Sequence, residues 1–337
     1  MMAIIQNIQN FSDYSFFSYQ TFMNKLEIDF FEQHGYKFMK TIARGGFGVV
    51  FLVYSQAYDQ YFAVKKIPKE NFNCAEIHCL IEIDDPKVCN LYQYFKYSDH
   101  YYLLMEYCDT DLAQKLKQVE KLTEEATRRL VHDVIACLKV CHDRNIAHAD
   151  IKPSNFLFDN YGRVKLCDFG LSKMYQDLPS SFTFHGTKHF MAPEIFQHRQ
   201  FNPIIADIWA LGVTIYYMVT QQYPFQAQDE KFLQFNIEKG KYNADLVQNS
   251  LLRDLIARCL EKNPQKRATV DELLEMPYFQ SSIPTLRDVR RSDLILKPKI
   301  PSVKSNYISR STLANLPINY NRLRLKNNNA RSSANLI

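Results

Sequence analysis

Glycine is scarce: the chain has nine in 337 residues, where ordinary usage of roughly 7% would supply about two dozen. That excludes collagen-like, Gly-rich linker and low-complexity classes and makes each glycine's position informative. The eight cysteines include no CxxC pair, and all of them (Cys74, Cys79, Cys89, Cys108, Cys137, Cys141, Cys167 and Cys259) lie in the first 280 residues. Such a spread in a long chain reads as reduced thiols and points to a cytoplasmic or nuclear protein. The N-terminus lacks a basic n-region, and Gln, Asn and Asp break up its apolar residues, so no signal peptide is expected. No run of 18 uncharged apolar residues occurs, so no transmembrane segment is expected.

Acidic charge is missing from one region. Residues 281–337 hold eleven Lys/Arg against two Asp, a net +9, and contain no Phe, Trp, Cys, Gly or Glu. With so little to bury, this basic tail is expected to be disordered. The preceding 280 residues hold 30 basic and 34 acidic groups, a net −4. The body is therefore no polyanion binder; attraction to an acidic surface, or to a regulator, belongs to the tail. Within it, Arg290-Arg291-Ser292 is a candidate phosphorylation site or pseudosubstrate and Leu294–Pro301 a candidate docking strand. No specific nucleic acid is expected as a partner. A tail-driven adaptor for nucleic acid or membrane would have to bind in a way that survives moderate salt.

What the body has in abundance is core material: 46% of the chain is hydrophobic and 14% aromatic, enough for one large domain or two. Residues 1–35 are rich in Phe and Tyr without a clean period and read as an extension that packs aromatics on the domain. From Tyr36 to about Ile83 the pattern is strand-like, with apolar runs at 49–53 and 61–64, then one short helical stretch; further short runs lie near 91–95 and 101–105. Helical spacing follows behind Thr123, and again at 205–219 and 249–260. A sheet-rich lobe thus precedes a helix-rich one.

Ala43-Arg44-Gly45-Gly46-Phe47-Gly48 falls between two strand-like runs. Clustered glycines let a backbone approach phosphate oxygens and aim N–H groups at them, although an ordinary hairpin turn explains the cluster as well. The next run ends in Ala63-Val64-Lys65. Lys65 is placed to hold phosphates under the turn or to face solvent, and neighbouring Lys66 reads as solvent-facing. On the helical stretch Glu76 and Glu82 compete as partners for Lys65, and apolar spacing favours Glu76. The most specific cluster is His148-Ala149-Asp150-Ile151-Lys152-Pro153-Ser154-Asn155, followed 18 residues after Asp150 by Asp168-Phe169-Gly170. Asp150 suits acceptance of a hydroxyl proton. Asn155 and Asp168 offer the hard oxygens Mg²⁺ prefers, and Lys152 can neutralise charge on a transferring phosphoryl group.

Together these motifs resemble the eukaryotic protein kinase family, serine/threonine type, over roughly residues 36–280. The resemblance extends through Gly186-Thr187, Met191-Ala192-Pro193-Glu194, Asp207 to Gly212, and Asn263 to Arg267. It implies an α+β, two-lobed fold: an antiparallel N-lobe sheet with one helix (about 36–105), a mainly α-helical C-lobe (about 109–280), and ATP between them. It also implies that Lys65 contacts the α- and β-phosphates and pairs with Glu76, that Asp150 is the catalytic base, and that Asn155 and Asp168 bind Mg²⁺. Glu194 would pair with Arg267. Met105 would be the gatekeeper, Glu106, Tyr107 and Cys108 the hinge, and Val50, Ala63 and Leu157 the walls around adenine. The implied activity is transfer of the γ-phosphoryl group of ATP to Ser/Thr hydroxyls of protein substrates. Lys152 and Thr187 fit the serine/threonine class, and Leu171 fits serine preference. The alternative is an ATP-binding pseudokinase scaffold, a class that usually loses Lys65, Asp150, Asn155 or Asp168; all four are present.

The chain departs from the family pattern at several points. Ala43 replaces the first loop glycine, which is expected to restrict the turn and weaken ATP binding. Ala149 replaces the arginine that often receives an activation-segment phosphate, so phosphorylation at Ser180, Ser181 or Thr183 is expected to be dispensable, with Lys173 a possible substitute cation. Glu76 follows Lys65 by only eleven positions, so the lead-in to its helix is short. Cys108 and Cys167 line the expected ATP site and are expected to be buried and inert rather than reactive.

Overall fold

A computed structural model describes residues 23–45, 48–181, 187–197 and 199–280. Gly46, Phe47, Thr183, Gly186, residues 1–22 and the readings placed on the basic tail lie outside them. Five antiparallel strands form the N-lobe sheet: β1 (Tyr36–Gly45), β2 (Gly48–Ser55), β3 (Gln60–Pro68), β4 (Leu91–Tyr97) and β5 (His100–Glu106), in the order β1-β2-β3-β5-β4. Side chains alternate across each strand, so the sheet presents two apolar faces, each of which needs a cover.

The outer face is covered by a helix that lies in the aromatic-rich extension. Helix α1 (Lys25–Gln33) starts at a capping box in which Asn24 and Glu27 bond each other's backbone N–H. Its Phe31 is fully buried among Phe95, Tyr102 and the nearby Phe30, with edge-to-face ring centroids 5.3–5.6 Å apart. Helix α1 lies before residues 36–105 and so adds to the one helix expected within the N-lobe. The helical period is hidden because α1 exposes Leu26 and buries Glu27, the reverse of a simple amphipathic stripe. Lys66, read as solvent-facing, is corrected: it is 4% exposed beneath α1.

The inner face meets α2 (Cys74–Glu82), capped by Asn73, and the C-lobe. After β5 come β6 (Thr110–Asp111), α3 (Leu112–Gln118), α4 (Glu124–His142) and β7 (Ile146–Ala147). The strands β8 (Phe156–Phe158) and β9 (Val164–Leu166) join β6 in one small sheet, and β10 (Lys173–Met174) pairs with β7. Helices α5 (Pro203–Thr220), α6 (Glu230–Lys239), α7 (Ser250–Cys259), α8 (Val270–Leu274) and α9 (Pro277–Gln280) complete the lobe. Thr123 caps α4 and Asn202 caps α5, whose first residue is proline. By length and composition α5 could cross a membrane, but most of it is buried inside the C-lobe. Its single tryptophan, Trp209, is fully buried, stacked on Phe225 at 5.4 Å, with the Arg267 guanidinium 5.2 Å from the ring.

Gly212 sits where α5 crosses α7. A Cβ there would stand 2.5 Å from the Cβ of Cys259 and 3.0 Å from Leu260 Cδ2, neither at the end of a long flexible side chain. Gly212→Ala must push the two helices apart and is expected to cost about 1–3 kcal/mol. Thermal denaturation should show the midpoint fall by several degrees; an unchanged midpoint would refute this packing.

Candidate active site

Lys65 projects from β3 into the cleft, where its Nζ lies 2.6 Å from Glu76 Oε1 and 2.8 Å from Asp168 Oδ1. Glu82, the rival carboxylate, is exposed. Burial alone would depress the Lys65 pKa, but Asp168 and Glu76 together hold it well above the ordinary lysine value. Burial dominates at Glu76, whose carboxyl is pushed up despite Lys65. At Asp168 the burial effect is overcome, chiefly by Lys65, and the carboxyl is held below its usual range.

The short lead-in to α2 is met by ending β3 at Pro68, making one 3-10 turn over Lys69–Asn71 and capping at Asn73. The turn is anchored to the β4–β5 hairpin: Lys69 N donates to Asp99 O at 2.9 Å, and Phe72 stacks on Tyr101 at 3.8 Å. Asp168 has φ 63°, a left-handed conformation that aspartate adopts more readily than most residues. Phe169 behind it is fully buried, 5.0 Å from the His148 ring.

On the C-lobe side the loop after β7 is organised by Asp207 of α5. Its carboxylate accepts from His148 N at 2.7 Å and Ala149 N at 2.9 Å, and lies 3.2 Å from His142 Nε2. These bonds hold Ala149 at φ 64°, a conformation that carries strain for a residue with a Cβ. The Asp150 carboxylate is thereby presented to Lys152 Nζ at 2.6 Å and Asn155 Nδ2 at 3.1 Å through Oδ2, and to Thr187 Oγ1 at 3.3 Å through Oδ1. Lys152 Nζ also donates to Thr187 Oγ1 at 3.3 Å, and Asn155 Nδ2 to the Asp150 carbonyl at 2.7 Å. The loop is stitched to the segment before Asp168 at Cys167, whose N–H donates to Asn155 O and whose carbonyl lies 2.9 Å from His148 Nε2.

The remaining expected residues surround the same cleft. Val50 pairs with Lys65 across β2–β3 and Ala63 with Met105 across β3–β5, and Leu157 lies on β8. Val50, Ala63 and Leu157 are half-buried, whereas Met105 is buried. Glu106 gives its carboxylate to Lys165 Nζ at 2.9 Å and Asn90 Nδ2 at 3.0 Å. The Cys108 thiol lies 4.0 Å from that of Cys89. This contact and burial push its pKa far up, so it stays protonated and is a poor nucleophile.

The glycine-rich hairpin closes with Gly45 opposite Gly48. Gly48 has φ 142°, and a Cβ there would collide with the Lys66 carbonyl, so its glycine is required by the β2–β3 approach independently of any phosphate. Ala43 and Arg44 are exposed strand residues next to a β-bulge. Ala43 does not have a positive φ, so its methyl group brings no backbone strain there.

Sequence reasoning missed Asp207 and His142 as organisers of the loop, and Lys165 as the partner of Glu106. Asp207 was visible within a motif, but its partners are backbone N–H groups 58 and 59 residues away, which no local pattern reveals. Glu194 and Arg267, joined only through the resemblance, form a bidentate pair at 2.6 and 2.9 Å.

Replacing Lys65 by methionine leaves Glu76 buried beside Asp168 without its cation. Such losses cost about 3–5 kcal/mol at neutral pH. A carboxyl raised in the folded state contributes its stability below its unfolded value, near 4.5, and loses it as pH rises. The stability deficit of Lys65→Met should therefore grow between pH 4.5 and 7 in denaturant titrations; a pH-independent deficit would contradict the arrangement.

The model of the protein kinase domain matches residues 36–279. The chain is 32% identical over 275 residues to sperm motility kinase 2B of Mus musculus, covering 80% of this chain and 57% of that protein. It is 30% identical over 257 residues to the carbon catabolite-derepressing protein kinase of Saccharomyces cerevisiae, covering 74% and 41%. It is 32% identical over 257 residues to CBL-interacting protein kinase 1 of Oryza sativa, covering 73% and 56%. The chain thus spans about half the length of the relatives it matches. With its two-lobed fold and the family match over most of its length, this chain belongs to the protein kinase domain family.

Proposed function

We propose that the chain transfers the γ-phosphoryl group of Mg·ATP to serine or threonine hydroxyls of protein substrates. The observation that carries this reading is the convergence of Lys65, Asp150, Asn155 and Asp168 on one cleft, each held by bonds that orient it. The donor set fits the metal: Asn155 spends its amide nitrogen on Asp150, leaving its oxygen, and Asp168 offers a carboxylate kept ionised by Lys65. Mg²⁺ held there would supply neutralisation of phosphate charge.

In the transfer, the substrate oxygen bonds to the γ-phosphorus as the bond to the bridging oxygen of ADP breaks. Asp150 receives the hydroxyl proton; its Oδ1, bonded among the described residues only by the long Thr187 contact, is the less engaged oxygen. Lys152, between Asp150 and Thr187, offsets charge on the moving phosphoryl group, and Lys65 holds the remaining phosphates. Such catalysis rests on positioning and electrostatics. The Lys152–Thr187 bond also supports the serine/threonine class over tyrosine.

Residues 175–181 are held by amide and backbone bonds, and Ala149 offers no phosphate receptor. Asn145 Nδ2 donates to Tyr175 O at 2.7 Å and Asp177 O at 3.0 Å, and Ser181 and Phe201 exchange both backbone bonds at 2.9 and 3.0 Å. Lys173 is exposed beside Tyr175.

Incubation with γ-³²P-ATP and a general protein acceptor should label serine or threonine. Asp150→Asn should reduce labelling about 10²- to 10⁴-fold without loss of nucleotide binding. Nucleotide binding without labelling by the wild type would favour the scaffold reading. Alanine at Ser180, Ser181 and Thr183 together should leave labelling within about threefold of wild type, well under the 10²-fold loss of a catalytic group; abolition with the fold intact would show that the segment needs its phosphate.

A further inference from the structure

Glu27 is a buried carboxylate that the phosphoryl-transfer site does not use. It is 4% exposed under the N-lobe sheet's outer cover, and it has three polar partners among the described residues. Its Oε1 accepts from Lys66 Nζ at 2.6 Å and from Tyr102 Oη at 2.6 Å, while Oε2 accepts from Asn24 N at 2.9 Å. Burial would raise the Glu27 pKa, but the hydrogen bonds from Lys66, Tyr102 and Asn24 outweigh it and hold the carboxyl below its ordinary value, so it is ionised at neutral pH.

Lys66 and Tyr102 are direct partners in the β3–β5 register. One carboxylate therefore bridges the central strand β3 and its neighbour β5 at a single rung. The adjacent β3 residue, on the opposite face, is Lys65, paired with Leu103, and the backbone of Gly48 is packed against the Lys66 carbonyl. Lys65, the base of the glycine hairpin and the outer helix thus meet at two adjacent residues of β3.

A purely structural role is a weak explanation for an ion pair at this place. The apolar packing of α1 is already supplied by Phe31 and Met23, and a buried ion pair adds little net stability over an apolar isostere of the same volume while it can fix register. We propose that Glu27 is a positioning residue for the phosphoryl transfer: through Lys66 and Tyr102 it fixes the β3 register that aims Lys65 at the phosphates of ATP. This rests on the proposed kinase activity, and it makes the helix preceding the family-matched region part of the nucleotide site.

The test uses the full chain with Glu27→Gln, Lys66→Met, the double variant, and the charge swap of Glu27→Lys with Lys66→Glu. Each is measured for thermal midpoint, for kcat, for KM of ATP and of the protein acceptor, and for direct binding of a fluorescent ATP analogue. Glu27→Gln should raise KM for ATP and weaken analogue binding by about 3- to 10-fold, the lower part of the range for coupled neighbours, with KM for the acceptor unchanged. The charge swap should bring the ATP values back to within about twofold of wild type, as rescue of a coupled pair requires. If Glu27→Gln lowers the thermal midpoint but leaves ATP KM and analogue affinity at wild-type values, the role is structural only and the inference falls. Should Glu27→Gln fail to fold, a folded Lys66→Met with wild-type ATP values overturns it equally, as does a folded charge swap whose ATP values are not restored. A wild type that binds the analogue but transfers no phosphate sinks the kinase reading alone, and analogue affinity then decides the positioning role. A wild type that does not bind the analogue sinks both.

Discussion

The ammonium of Lys65, buried between two carboxylates, is the constraint around which the rest is arranged. A lone buried cation is too costly to keep. Its charge is tolerable because Glu76 from α2 and Asp168 from the loop after β9 close on it. The consequence is that three separate stretches of chain must arrive at one point. The short turn between β3 and α2 and its anchoring on the β4–β5 hairpin deliver Glu76. The left-handed backbone at Asp168 and the buried Phe169 deliver the other carboxylate. Two negative groups against one positive one leave the site with unspent negative charge, which suits a cation that accompanies phosphate.

The C-lobe uses a similar device with backbone in place of a lysine. Asp207, almost wholly buried in α5, accepts from two peptide N–H groups of the loop after β7 and lies beside His142. Since α5 is itself locked by Asn202, by close contact at Gly212 and by the Glu194–Arg267 pair at its start, the loop inherits the rigidity of the lobe's central helix. Asp150 is thereby oriented by the fold itself, as the proposed catalysis by positioning requires.

Much of this was legible in the sequence because the chemistry sits in short contiguous motifs. Asp150, Lys152 and Asn155 lie within six residues, and Asp168 follows at the next strand end. Glu76 could be preferred over Glu82 because apolar residues at helical spacing decide which face is buried. What stayed hidden required contacts across distance or a broken pattern. The capping box Asn24-x-x-Glu27 was present in the sequence, yet an exposed Leu26 and a buried Glu27 defeat any reading by hydrophobic period. Lys66 is indistinguishable from a surface lysine until α1 covers it. Gly48 looked like a phosphate-binding glycine, and its demand for a missing Cβ comes first from the Lys66 carbonyl. Ala43 stands where a glycine was expected, and the extended backbone there brings its methyl group no strain.

The central claim is that Lys65, Asn155 and Asp168 form a site made for a nucleotide with its metal. Calorimetric titration of the full chain with a non-hydrolysable ATP analogue, with and without Mg²⁺, tests it most directly. The account predicts one nucleotide per chain, bound more tightly with Mg²⁺ than without, with that metal enhancement lost in Asp168→Ala. Binding that is indifferent to Mg²⁺, or a wild type and Asp168→Ala with the same metal response, would contradict it.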